Sequence, residues 1–214
     1  FWNFSASNPM QIICKRMVDD NTAYRAIFRL GVNSFKDVNY LVQDGQSDPL
    51  VTVEDIRKNS NMAIGLGFGL EKRRGKGRVQ GIYGGTAMIN IATDKNTYEY
   101  GNAYSETNLL PTRTLWAANP MGYGWVLENK NGTNFGLGVQ GFVGVEYFFA
   151  PKISLSGEFR YGIGYNTLGD GEVTVQSWDF ANSAVKTTST STGGNSRFGL
   201  DTGIGGFLNL NFYF

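Results

Sequence analysis

From residue 197 to residue 214 two kinds of side chain alternate. The even positions are Phe198, Leu200, Thr202, Ile204, Gly206, Leu208, Leu210, Phe212 and Phe214. The odd positions are Arg197, Gly199, Asp201, Gly203, Gly205, Phe207, Asn209, Asn211 and Tyr213. A period of two places one set on each face of a β-strand. The pattern recurs upstream. Tyr24, Ala26, Phe28, Leu30 and Val32 oppose Arg25, Ile27, Arg29, Gly31 and Asn33, and Met62, Ile64, Leu66, Phe68 and Leu70 oppose a row of glycines ending in Glu71. Residues 79–91, 134–149 and 152–165 repeat it, residues 10–17 carry a shorter version, and Phe1 to about Ser5 reads as the tail of a first strand. Eight strands is an even number, as single-chain bacterial barrels have.

The connections alternate in length. Asp19-Asp20-Asn21, the Arg73 to Gly77 region and Ala150-Pro151 read as tight turns. Polar segments at about 35–60, 93–133 and 167–195 read as long loops, and only Ala6 to Pro9 breaks the alternation. Outer-membrane barrels place short turns in the periplasm and long loops outside. The expected fold is therefore all-β: one domain, 1–214, forming an eight-stranded antiparallel up-and-down transmembrane β-barrel, its first strand cut short at the N-terminus.

Alternation alone also suits a soluble lipocalin-like barrel, which turns its apolar face inward. The opposite face decides between them. It carries Lys15, Arg25, Arg29, Glu71, Glu146, Glu158, Arg160 and Asp201 amid glycines, four basic against four acidic. A soluble exterior would carry many more charges per strand. A small membrane barrel instead encloses a few charges of balanced sign. These eight residues are expected to form an ionic network in a lumen filled by side chains, with no open pore. Leu155 and Leu208 are expected to face lipid.

Composition narrows the chemistry. The chain has no histidine and one cysteine, Cys14, so Ser-His-Asp and Cys-His sites, internal disulfides and the usual zinc ligand sets are unavailable. The formal charge of +1 gives no global attraction for nucleic acid. No apolar run is long enough for a transmembrane helix. Lys72-Arg73-Arg74-Gly75-Lys76-Gly77-Arg78 lacks the spacing of a phosphate loop and reads as a solvated turn whose cations snorkel past the bilayer edge. Glycine-rich runs such as 65–69 lie within strands and open no helix, and Asn131-Gly132-Thr133 matches a glycosylation acceptor by chance.

The 93–133 segment holds Tyr98, Tyr100, Tyr104, Trp116, Tyr123 and Trp125. Such residues anchor protein or sugar contacts, which makes them candidates for extracellular binding. An extension of the barrel wall would account for them equally well. The 167–195 segment, with Ser and Thr crowded into 187–192, reads as a mobile polar loop.

MQIICKRMVDDNTAYRAIFRLGVN (10–33), FGLEKRRGKGRVQGIYGG (68–85) and GVEYFFAPKISLSGEFRYGIGY (144–165) resemble the strand-turn-strand units of small outer-membrane β-barrel proteins of the Bacteroidetes type. The C-terminal FLNLNFYF is similar to the terminal-strand signal read by the barrel-assembly machinery, carried by Leu208, Leu210, Phe212 and Phe214. The resemblance covers most strands and none of the loops. It implies an eight-stranded barrel in the bacterial outer membrane, in contact with its lipid and lipopolysaccharide, with no catalytic motif and no cofactor; some barrels of this kind are accessory subunits of larger outer-membrane assemblies. The expected role is a non-enzymatic scaffold or binding surface. A small-molecule channel and an outer-membrane enzyme are the alternatives.

Overall fold

The computed structural model describes residues 11–116 and 124–213, and the side chains of these except 11 and 200–207. Among these residues ten strands follow in order: β1 (Gln11–Asp19), β2 (Thr22–Val42), β3 (Thr52–Arg74), β4 (Val79–Glu99), β5 (Trp125–Lys130), β6 (Asn134–Ala150), β7 (Ile153–Leu168), β8 (Gly171–Asp179), β9 (Ala184–Thr192) and β10 (Asn195–Phe212). All belong to one antiparallel sheet, and no helix occurs among the described residues. Seven strands, β1, β2, β3, β4, β6, β7 and β10, pair in that order and coincide with seven of the eight expected. The eighth, Phe1 to Ser5, lies outside the described residues, as does the Ala6 to Pro9 connection. No pair joins β1 to β10 among the described strands, so the sheet is not closed within them.

The long loops expected at the other end are largely strand. β2 and β3 pair from Thr22↔Lys72 up to Val42↔Thr52, so the turn begins only at Gln43. β4 continues to Glu99, and its upper end leaves β6 to pair with β5 through Lys95↔Lys130 and Thr97↔Glu128. The 167–195 segment is the β8–β9 hairpin, paired from Gly171↔Thr192 to Asp179↔Ala184. The Ser/Thr run that read as a mobile loop is the paired strand β9. β4, β5, β8 and β9 thus raise the wall well past the level where β6 begins.

The new strands are continuations of the old. β5 runs into β6 across residues 131–133, β7 into β8 across 169–170, and β9 into β10 across 193–194. The three breaks lie side by side, since Asn134 and Asn195 both pair with Leu168. Backbones approach closely along this line. A Cβ on Gly132 would collide with the Gly169 carbonyl, and one on Gly194 with the Leu168 carbonyl. Only glycine lets the neighbouring backbones come this close there. The Asn131-Gly132-Thr133 tripeptide is therefore one end of a line of strand breaks between the lower wall and its extension.

At the opposite end the turns are as short as expected. Asp19 Oδ1 accepts the Asn21 amide at 2.8 Å, an Asx turn that closes β1 onto β2. The sheet is strongly curled. β2 and β7 are four pairing steps apart, which on a flat sheet at ~4.8 Å per strand is about 19 Å. Yet Arg25 Nη2 lies 3.1 Å from Glu158 Oε1. β1 reaches β6 in the same way, Lys15 to Glu146 at 4.0 Å, and Arg73 of β3 reaches Tyr213, just past β10.

Candidate functional site

The concave face of the curl is charged and the convex face apolar. Along β3 the outward positions Met62, Ile64, Leu66, Phe68 and Leu70 form an apolar run bounded by Ser60 and Lys72. Phe68 is 62% exposed and Leu66 54%, and Val139 of β6 reaches 62%. Nine residues at ~3.3 Å, tilted by ~40°, cover about 20 Å of height, close to the ~25 Å apolar band of a membrane barrel. The belt passes through β4, β6 and β7 to Leu208, Leu210 and Phe212 of β10, all exposed. Phe214 lies outside the described residues. Leu155 is on this face too, as is Cys14, level with Ala26 and exposed.

On the inner face six of the eight charges expected there meet. Glu71, fully buried, takes Lys15 at 3.1 Å, Arg25 at 3.3 Å and Arg73 at 3.0 Å. Glu158 takes Arg25 at 3.1 Å and Arg160 at 2.9 Å. Glu146 takes Arg73 at 3.0 Å, a hydroxyl hydrogen bond from Ser154, and one from Tyr213 at 2.6 Å. The Arg25 guanidinium also lies 4.0 Å from the centre of the Phe142 ring. Arg29 sits half-buried higher on β2, and the Asp201 side chain lies outside the described ones. One expectation is corrected. Arg73 is not a solvated turn residue; it is buried in the network, because β3 continues to Arg74 and position 73 shares the parity of Glu71. Tyr213 was also missed as a network member. Asn209 and Asn211, on its side of the terminal strand, donate to Ser156 and Ser154. The network ties together elements that no backbone hydrogen bond joins.

The raised wall has its own interior. Tyr98, Val126, Val173 and Val175 form a small apolar cluster, with Tyr100 and Trp116 packed against it. Trp125 is buried, with its ring 4.8 Å from Tyr100 and 4.5 Å from Tyr104. Arg57 lies over Trp116 at 5.0 Å and Arg113 over Trp125 at 5.6 Å. Five of the six aromatic residues taken as candidate binding anchors therefore pack among themselves; Tyr123 lies outside the described residues. They hold an extension of the wall together. The segment after β4 is pinned across it. Asp55 accepts the amides of Gly101 (2.9 Å) and Thr114 (2.6 Å), Asp44 accepts that of Thr112 (2.7 Å), and Asn102 donates to the carbonyls of Val42 and Thr112. These partners were not legible in the sequence, since a lone Asp or Asn in a polar stretch has no pattern.

The groups most available to a partner are others. Leu50 (85% exposed), Leu110 (90%), Leu115 (81%) and Phe180 (75%) stand in the connections beyond the belt.

Tyr100 gives the extension a pH dependence. Its hydroxyl donates to the Val126 carbonyl at 3.0 Å, and burial pushes its phenol up to about 12, against the opposing charge of Arg113. A group whose folded pKa is raised adds stability that is fully present below its unfolded value and lost as pH rises to the folded one. The packing of the extension is therefore expected to weaken between about pH 10 and 12. The difference in 295 nm absorbance between wild type and Tyr100→Phe should titrate near 12. Titration near 10 would mean that the phenol is in water.

No family model, curated protein or solved structure matches the chain. Among the described residues no group of three or more His, Cys, Asp or Glu could hold a metal ion.

Proposed function

We propose that the chain is a non-enzymatic outer-membrane β-barrel that carries a rigid extracellular extension as a binding surface, and that it serves as an accessory subunit of a larger outer-membrane assembly. The observation that carries the membrane reading is the inverted distribution of polarity: a continuous belt of exposed Leu, Ile, Val, Phe and Tyr around a core of paired Arg, Lys and Glu. A water-soluble protein rarely exposes so large a continuous apolar patch. In an eight-stranded tube, strands four steps apart face each other across the lumen, as the pairs β2–β7, β1–β6 and β3–β10 do. The lumen network fills the turn end, which argues against the channel alternative.

The binding role rests on the extension. Loops that only connect strands have no need of a wall pinned by Asp44, the buried Asp55 and an aromatic cluster. That wall holds Leu50, Leu110, Leu115 and Phe180 outward at low entropic cost. Purification from native membranes in mild detergent, followed by mass spectrometry, tests the subunit reading. The wild type should bring down another outer-membrane protein in stoichiometric amount. Leu110→Ser combined with Phe180→Ser should lose it while the barrel stays folded. A solitary wild-type monomer would overturn the reading.

A further inference from the structure

Just beyond the apolar belt, four neighbouring strands each place a lysine on the outer face. Lys36 lies four residues past Val32 on β2, Lys58 four before Met62 on β3, and Lys95 four past Ile91 on β4. Lys130 ends β5 across the line of strand breaks from β6. The register makes the row stranger. Lys36 is directly opposite Lys58, and Lys95 directly opposite Lys130. Like charges facing each other across a strand pair destabilise a sheet. Two of the four are compensated from within the protein, Lys58 by Glu99 at 2.5 Å and Lys95 by Glu128 at 2.9 Å. Lys36 and Lys130 take part in no ion pair among the described residues, although Lys130 lies opposite Glu172 in the β5–β8 register. Both are exposed.

The height of the row is informative. Four residues of tilted strand rise about 10 Å, which sets the lysine backbone at the outer edge of the lipid headgroup layer. A lysine stem lying back along the wall then brings its ammonium to the level of lipid phosphates. Glu99 and Glu128 lie farther along their strands, past Lys95 and Lys130 as seen from the belt. The row is confined to the β2–β5 side; at the corresponding height β10 offers Ser196 and Gly194.

We infer that Lys36, Lys58, Lys95 and Lys130 form a docking surface for a phosphate-bearing glycolipid of the outer leaflet, whose phosphates lie between the facing lysine pairs. This rests on the membrane-barrel reading above and adds a specific lipid class to one side of the wall. A phosphate between two facing ammonium groups turns their repulsion into two charge-assisted contacts.

Native mass spectrometry of the folded, detergent-purified protein tests it, with three added probes: diphosphorylated lipid A, its monophosphorylated form, and phosphatidylcholine. The wild type should retain diphosphorylated lipid A most strongly. Changing all four lysines to Gln leaves Glu99 and Glu128 unopposed and should weaken that retention at least tenfold, with no change for phosphatidylcholine. Lys72→Gln with Lys76→Gln, at the other end of the barrel, should keep it. Inorganic phosphate at millimolar concentration should fail to displace the lipid; displacement would assign the row to a free anion and overturn the glycolipid inference. Equal retention by wild type and the fourfold variant, or loss in the Lys72/Lys76 variant, would also overturn it. Insertion into phosphatidylcholine vesicles is scored separately. A wild type that inserts but shows no phosphate preference overturns only the lysine inference, whereas one that fails to insert overturns the membrane reading and this inference together.

Discussion

Glu71→Ala is expected to destabilise the folded protein by about 3–5 kcal/mol, because it strands buried cations whose desolvation that carboxylate offsets. Glu71 is fully buried and is shared by Lys15, Arg25 and Arg73. Its removal leaves Arg25 with Glu158 alone, and Arg73 with Glu146 and Tyr213. The urea midpoint of protein refolded into vesicles reads the loss. Replacing the Arg25–Glu71 pair with two methionines should recover much of it, since apolar side chains of similar volume substitute for a buried ion pair more readily than a widowed charge is tolerated. An unchanged midpoint in Glu71→Ala would mean that water solvates the cations and that the lumen is open.

Leu208→Lys and Leu155→Lys are expected to cost about 2–4 kcal/mol each when folding is measured in a bilayer. Both leucines lie on the exposed face, Leu208 at 82% and Leu155 at 47%. The sign of the effect separates two environments. On a sheet facing water, an exposed leucine changed to lysine alters stability by a few tenths of a kcal/mol and improves solubility. In hydrocarbon the ammonium must be dehydrated or drawn to the interface. Tyr40→Lys is the control. Tyr40 is also exposed and outward on β2, but eight residues past Val32, beyond the belt, so its change should cost less than about 1 kcal/mol. Equal effects at all three positions would show that the belt does not face lipid.

The lower strands were legible because one of their faces is uniformly apolar. Alternation marked β1, β2, β3, β4, β6, β7 and β10, and parity put Lys15, Arg25, Glu71, Glu146, Glu158 and Arg160 on one inner surface. It stops short of Arg73, because the alternation fades into the basic run before β3 ends, and it puts Tyr213 on the inner face without naming its partners. Past the belt the signal vanished. In the upper halves of β2 and β3 both faces carry polar side chains, and Lys36-Asp37, Glu54-Asp55 and Arg57-Lys58 show no apolar period. Without a period these stretches read as loops, although their backbones pair as regularly as those below. β9 hid in the same way, its Ser and Thr exposed on both faces. The aromatic residues of 93–133 have no place legible in the sequence, because aromatic side chains serve a packed cluster and a binding face equally well, and only the pairing of β4, β5 and β8 brings Tyr98, Val126, Val173 and Val175 together.

The strand period, the two characters of the wall and the short turns are written in the chain itself, because each follows from local backbone geometry and a single apolar face. Tertiary structure settles which carboxylate meets which cation across the curl, where the three strand breaks line up beside Gly132 and Gly194, and that the polar segments are paired strand. Those outcomes depend on register and on contacts between strands distant in sequence, and no periodicity along one strand encodes them.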